Sequence, residues 1–567
     1  MISAPRSPRM RVAKGPESIC VQSMIRVPAS GVGRSVVSIG RSTVESLLTF
    51  GTYGTDATNA VSALMLPGTV VVHMALRTSD EFVDGLSDGR EVYYGGARVE
   101  DVTTHPVLST SVEHAASEFD AQFDAPDVFV TERDGERFSR YFEPVEDQGT
   151  LERRRRLVRE STCQSDGVFN CIRAIGSDGL HALAAVLPAV DERQGTAYTT
   201  RLRSQLERVR RADLGVAVAM TDAKGDRSKR PSEQTVADTY VRVVERRPDG
   251  IVIRGAKVHT SHGPVSDELL VLPGRGLAAD EEDFAVACLV PCEASGLRFV
   301  CRRSWGDVDA RDAPVSSRRD EIESVTLFDD VFVPAERVFL DGYPNAAGEV
   351  VEAFATYHRF TALCYRPEFV DLLLGVVELL AESNGLSDAR GVRRARTDLI
   401  EYIETVRGLA VAAAATPAIR NGRYLPNPTY CNVGKHRFAS EYHDVCRTVQ
   451  DIAGGLAVTV PPVAAFDDDT VGETLTDVLG GSDGWDGRRR RALFALVSDL
   501  TVSRFAGWQE VLSLHGEGSL AAQRRSMHAA YDRAAATDRA RVLLDRAVGT
   551  ENNTPGGGSE APSRNNR

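Results

Sequence analysis

The sequence predicts an α+β protein with a mainly helical N-terminal domain, a middle β domain and a C-terminal four-helix bundle. Three observations carry this reading. From about residue 107 to 212 apolar residues recur at helical spacing between charged faces such as Glu152-Arg153-Arg154-Arg155-Arg156. From 214 to about 338 the period shortens toward two, as in Tyr240-Val241-Arg242-Val243-Val244 and Ser324-Val325-Thr326-Leu327-Phe328. Beyond it lie four long helix-like stretches, 370–382, 394–415, 435–451 and 491–514.

Residues 1–73 are rich in Ser, Gly, Val and Arg and carry no clear period, so a poorly ordered extension from a misassigned start is expected. The domain 74–213 opens on Thr78-Ser79-Asp80-Glu81, a capping box that starts a short helix. Two strand-like runs, Glu91-Val92-Tyr93-Tyr94 and Ala97-Arg98-Val99, flank Gly95-Gly96 and predict a hairpin within it. The β domain covers 214–341 and the bundle 342–549. The Gly, Asn, Pro and Ser of 550–567 predict a disordered tail.

A net charge of −13 argues against nucleic acid as a partner. No run of 18 uncharged apolar residues occurs, so no membrane span is expected. The 9 cysteines are scattered without a CxxC pair, as reduced thiols in the cytoplasm would be. Lysine is scarce: Lys14, Lys224, Lys229, Lys257 and Lys435 are the whole set. There is no GxxxxGK[ST] loop, GxSxG elbow, HExxH or GxGxxG, so nucleotide hydrolysis, serine hydrolase chemistry and a Rossmann domain lose support.

Two segments carry chemistry instead. Met220-Thr221-Asp222-Ala223-Lys224-Gly225-Asp226-Arg227 puts small residues, a hydroxyl and both charge signs in one loop, suited to a polar or anionic ring. Gln450-Asp451-Ile452-Ala453-Gly454-Gly455 ends a helix on two glycines that admit a phosphate or ribose. Alone, the first also reads as a polar turn with a local ion pair and the second as a glycine cap.

Together with Asp88-Gly89-Arg90, Asp101-Val102-Thr103-Thr104-His105-Pro106, Phe328-Asp329-Asp330-Val331, Tyr357-His358-Arg359 and His515-Gly516-Glu517-Gly518-Ser519, these stretches resemble, in colinear order, the acyl-CoA dehydrogenase-like flavoproteins. The resemblance is to the branch holding 4-hydroxyphenylacetate 3-monooxygenase and 4-hydroxybutyryl-CoA dehydratase, and it implies FAD. On that likeness Met220, Thr221, Asp222, Lys224, Gly225, Asp226 and Arg227, with His259, Thr260 and Ser261, would meet the flavin ring and ribityl chain. Gln450, Gly454 and Gly455 would reach its adenine and pyrophosphate end, from a neighbouring subunit of a homotetramer. His358, Glu323 and Arg173 are the implied catalytic or substrate-contacting residues.

The dehydratases hold an iron–sulfur cluster by Cys-x-x-x-Cys and His-x6-Cys. Here Asn170, Ala174 and Tyr365 stand at three of the four positions, with Cys171 and Cys364 one residue off, about 100° around a helix. No metal is therefore expected. The resemblance then implies first an aromatic hydroxylase using O2 and reduced FAD from a flavin reductase, acting on a phenolic small molecule. Behind it come a cluster-free CoA-ester dehydratase or isomerase and a non-catalytic flavin-binding relative. Met220 stands where the hydroxylases place a substrate-facing His.

Overall fold

A computed structural model describes residues 76–305 and 308–548. The expected extension 1–73 and tail 550–567 lie outside the described residues. The capping box forms as the sequence predicts: Glu81 N donates to Thr78 Oγ1 at 3.2 Å and Thr78 N to Glu81 Oε2 at 2.8 Å. Helix Ser79–Gly85 follows from it.

The hairpin of Glu91–Tyr94 and Ala97–Val99 also forms, with Gly95 and Gly96 at φ +60° and +88° as a tight two-residue turn requires. Its partner corrects the expected grouping with the helices. Glu91–Tyr94 runs parallel to Leu297–Cys301, so the hairpin completes a six-stranded sheet. Across that sheet the order is Ala97–Val99, Glu91–Tyr94, Leu297–Cys301, Glu323–Pro334, Gly250–Ser261 and Arg242–Arg247. A second sheet orders Val338–Asp341, Val286–Pro291, Glu268–Val271 and Val216–Ala219.

Four longer helices, Ser109–Asp124, Gln148–Gln164, Ala174–Gln194 and Tyr198–Arg211, fill the N-terminal part, with an unforeseen second hairpin at Val130–Arg133 and Glu136–Ser139. The 40-residue helix Pro344–Ser383 leads the bundle, followed by Arg390–Ala415 and Pro428–Ala453. The stretch expected as one helix over 491–514 is two, Gly487–Thr501 and Arg504–His515. Ser503 interrupts it by accepting from Ala506 N at 3.2 Å, the work of an N-cap.

Two apolar cores result. One joins N-terminal helices to the bundle through Leu151, Leu180, Tyr357, Phe369 and Phe438. The other, with Phe82, Phe119, Ile253, Leu269, Phe299 and Val331, lies beneath and between the sheets. Burying such side chains is worth ~1.5–3 kcal/mol each. Polar groups left where the three parts meet are therefore conspicuous.

Candidate active site

The Met220–Arg227 loop leaves the second sheet and is stitched to the first. Val258 N donates to Thr221 O at 2.8 Å, and Asp222 pairs with Lys257 across an isolated bridge. Lys257 Nζ lies 2.7 Å from Asp222 Oδ1 and donates to Met220 O at 2.8 Å and Leu272 O at 2.9 Å. Burial raises the Asp222 pKa and lowers that of Lys257, each opposed by its partner's charge. Asp222 is thus an internal anchor of the loop, and its ion pair is with Lys257 on the neighbouring strand rather than within the turn.

Beside this anchor the strand Gly250–Ser261 bulges. Thr326 faces Lys257 and Ser324 faces Thr260, leaving Val258 and His259 opposite Val325 alone. His259, at φ +59°, is pushed into solvent. Thr260 is buried and accepts from Thr326 Oγ1 at 2.9 Å, while Ser261 Oγ donates to Glu323 Oε1 at 3.5 Å. The structure therefore brings Met220, Thr221, Asp222, His259, Thr260, Ser261 and Glu323 together.

On this face Lys224 and His259 are exposed, and no hydrogen-bond partner meets the Lys224 ammonium, the His259 ring or the Thr221 hydroxyl among the described residues. That donor set suits an acceptor-rich, anionic ligand, so the residues fit the flavin nucleotide that the resemblance implies. Asp226 and Arg227 are exposed, and Asp226 is turned onto Ser228 at 2.7 Å. Gly225 serves a nearer neighbour than expected: a Cβ there would lie 2.4 Å from Gln234 Oε1.

Gln450 has a partner on another helix of this chain, donating through Nε2 to Thr501 O at 2.6 Å. Gly454, at φ +67°, and Gly455 end their helix with open space where a Cβ would stand. Arg173 does not face the loop. It is fully buried, bonds Asp213 at 2.6 Å and lies 3.8 Å over the Phe119 ring. Its charge is spent joining the start of helix Ala174–Gln194 to the sheets' core, which corrects its reading as a catalytic group.

His358 lies on Pro344–Ser383, stacked on Phe354, with Nδ1 3.3 Å from Asp178 Oδ2. Asp178 is fully buried; although burial opposes its ionisation, Arg154 at 2.6 Å, His358 and Thr361 hold its pKa below the usual value. A carboxylate fixed on Nδ1 orients the ring for proton transfer at Nε2.

Near His358 the turn after Arg504–His515 aims Glu517 back into the bundle. Glu517 accepts from Tyr365 Oη at 2.6 Å and lies 3.2 Å from Lys435 Nζ, which also donates to Ser513 O at 2.5 Å. Burial pulls the Lys435 pKa down to about 8. Glu517 is held below its usual range because Lys435, His358, Tyr365 and Arg366 outweigh the effect of burial. Glu321, by contrast, is driven well above by burial beside Glu323 and Asp320. Arg302 stacks 3.8 Å over Trp305, which with Trp508 and Phe505 forms an aromatic wall. Sequence reasoning did not single out Tyr365, Glu517, Lys435 or Glu321 as a group. The lysine scarcity and the Gly-Glu-Gly turn were the available signals.

The positions of the implied cluster ligands do not fit iron. Asn170 Nδ2 donates to His114 O at 2.6 Å, Ala174 is a buried methyl, and Tyr365 stacks on Phe169 at 4.2 Å. Cys171 and Cys364 are buried, with burial raising both thiol pKa values, and Cys364 Sγ donates to Phe360 O at 3.1 Å. Among the described residues no group of three or more His, Cys, Asp or Glu could hold a metal ion.

A helical part, a two-sheet part with a polar loop at its bulge and a helical bundle define the acyl-CoA dehydrogenase-like fold class. Within it, residues 78–340 match the 4-hydroxyphenylacetate 3-hydroxylase N-terminal domain and 347–545 the C-terminal domain. The chain belongs to the 4-hydroxyphenylacetate 3-hydroxylase family. It is 29% identical over 473 residues to the 4-hydroxybutyryl-CoA dehydratase/vinylacetyl-CoA-Δ-isomerase of Clostridium aminobutyricum, covering 79% of this chain and 95% of that one. It is 28% identical over 482 residues to the 4-hydroxyphenylacetate 3-monooxygenase oxygenase component of Thermus thermophilus, covering 83% and 98%. Among solved structures, an oxygenase component of 4-hydroxyphenylacetate 3-monooxygenase complexed with FAD superposes with TM-score 0.78 at 27% identity, covering 84% and 99%. An archaeal 4-hydroxybutyryl-CoA dehydratase from N. maritimus gives 0.78 at 26%, covering 86% and 97%.

Proposed function

We propose that this protein is the oxygenase component of a two-component monooxygenase, hydroxylating a phenol with O2 and FAD reduced by a partner flavin reductase. The observation that carries the reading is the pairing of an open polar loop at Thr221, Lys224 and His259 with a centre whose implied iron positions hold Asn170, Ala174 and Tyr365. Bound reduced FAD would supply the electrons for activating dioxygen. Thr221, Lys224 and His259 would bind it, and Asp222 with Lys257 would fix the loop that presents them. The Trp305, Phe505 and Trp508 wall would keep water from the reacting phenol, and His358, oriented by Asp178, would take the phenol proton at Nε2. Gly454 and Gly455 leave room for the nucleotide end of FAD bound in a neighbouring subunit, consistent with a homotetramer. Among the described residues no helix is long and apolar enough to cross a membrane. Cysteines scattered without a CxxC pair support a reducing, cytoplasmic setting.

A second reading, CoA-ester isomerisation, is favoured by the His358–Asp178 pair and by the 29% identity to the clostridial dehydratase. One experiment separates them. The protein is given FAD, NADH, a flavin reductase and a panel of phenols under air, and in parallel vinylacetyl-CoA without oxygen. Hydroxylated product supports the first reading. Peroxide alone, with isomerised CoA ester in the anaerobic arm, establishes the second.

A further inference from the structure

Arg366 on helix Pro344–Ser383 is 1% exposed, yet its guanidinium is only half used. Nη1 donates to Gln509 Oε1 at 3.0 Å, while Nε and Nη2 have no partner. The rings of Tyr442 and Tyr365 lie 5.0 and 5.4 Å from its Cζ and hold the plane in place without satisfying that edge.

Nε and Nη2 form the side through which arginine grips a carboxylate with two parallel bonds. The same chain shows the geometry where a carboxylate is at hand. Arg254 reaches Asp330 through these two nitrogens at 2.7 and 2.6 Å, and Arg407 reaches Glu368 at 3.1 and 2.9 Å. Donors buried without acceptors are costly and rare. Nearby acids do not answer this one. Glu517 accepts from Tyr365 and lies 3.2 Å from Lys435, and Glu321, itself buried with Oε1 unpartnered, makes no hydrogen bond to Arg366, its pKa raised by burial beside Glu323 and Asp320.

We propose that the Nε–Nη2 edge of Arg366 is a carboxylate-binding subsite in the wall of the active site. It takes the acid group of a substrate or, by the same chemistry, a small free carboxylate. The phenol reading enters only through the choice of probes.

The test is calorimetric titration of the flavin-loaded protein with 4-hydroxyphenylacetate, its uncharged amide and acetate, on wild type, Arg366→Gln and Arg366→Lys. The acid is expected to bind at least about tenfold tighter than the amide, with the preference lost in Arg366→Gln because only the acid weakens. Acetate binding that Arg366→Gln abolishes equally supports the subsite and identifies the free-anion source. It does so even if neither phenol binds, an outcome that would remove the phenol reading alone. Equal binding of acid and amide without acetate binding overturns the proposal, as does an acid preference that survives Arg366→Gln. Should Arg366→Gln fail to fold, Arg366→Lys decides. It keeps the charge without the fork, so the preference must fall by about fivefold or more, and an unchanged preference overturns the subsite.

Discussion

The phenol of Tyr365 donates a 2.6 Å hydrogen bond to the carboxylate of Glu517, which lies 152 residues further along the chain. With Lys435 on the other carboxylate oxygen, the contact joins helix Pro344–Ser383, helix Pro428–Ala453 and the turn after Arg504–His515 at one buried point.

Tyr365→Phe keeps the stack on Phe169 and removes only the hydroxyl. It leaves one oxygen of a buried carboxylate without its donor, so unfolding in urea should show a loss of about 1–3 kcal/mol. A variant as stable as wild type would mean that the bond contributes no net stability.

Lys257→Met strands Asp222 in the interior and should cost about 3–5 kcal/mol in the same assay. It also frees Met220 O and Leu272 O, so FAD retention on gel filtration should drop with it. The double variant Asp222→Leu, Lys257→Met should recover much of the stability and little of the FAD retention, because the loop anchor is still gone.

Lys224→Ala tests the exposed side of that loop. Stability should stay within about 0.5 kcal/mol. FAD affinity, read by flavin fluorescence titration, should fall about tenfold, equivalent to ~1.4 kcal/mol. Unchanged affinity would remove Lys224 from the binding face.

Acid should destabilise the fold through buried neutral histidines. Burial lowers the His181 pKa from 6.5 to about 3, and Nε2 sits 3.0 Å from Tyr141 O. The folded state binds the proton more weakly than the unfolded chain, so its stability is full above pH 6.5 and declines as pH falls toward 3. The limit is on the order of several kcal/mol. His181→Gln cannot take the proton, and its melting temperature should fall less steeply between pH 7 and 5. His262, lowered to about 4, and buried His114 keep part of the slope.

Local signals in the sequence located local structure well. The Thr78 capping box, the Gly95-Gly96 turn and the alternation through Ser324–Phe328 each lie within a few residues and formed as read. The Met220–Arg227 loop was legible for the same reason, and the structure brings it beside His259 and Ser261. What stayed hidden depended on partners outside each motif. Arg173 reads as a catalytic or substrate-contacting group until Asp213 is beside it, and neither motif foretells that Gly225 stands against Gln234 or that Gln450 bonds Thr501. The break at Ser503 lay inside an apolar periodicity that continues across it. The meeting of Tyr365, Lys435 and Glu517 was hidden because their spacing in the chain has no period.

The parallel seam between Glu91–Tyr94 and Leu297–Cys301 joins residues some two hundred positions apart, Glu91 and Arg298 being separated by 207. During synthesis the large sheet must wait for its late strands before the early hairpin can dock, a non-local closure of the kind that slows folding. A fragment beginning after Val99 would display a naked backbone edge along Leu297–Cys301, inviting self-association. For this enzyme the short hairpin is a stopper against aggregation as much as an entrance to the fold.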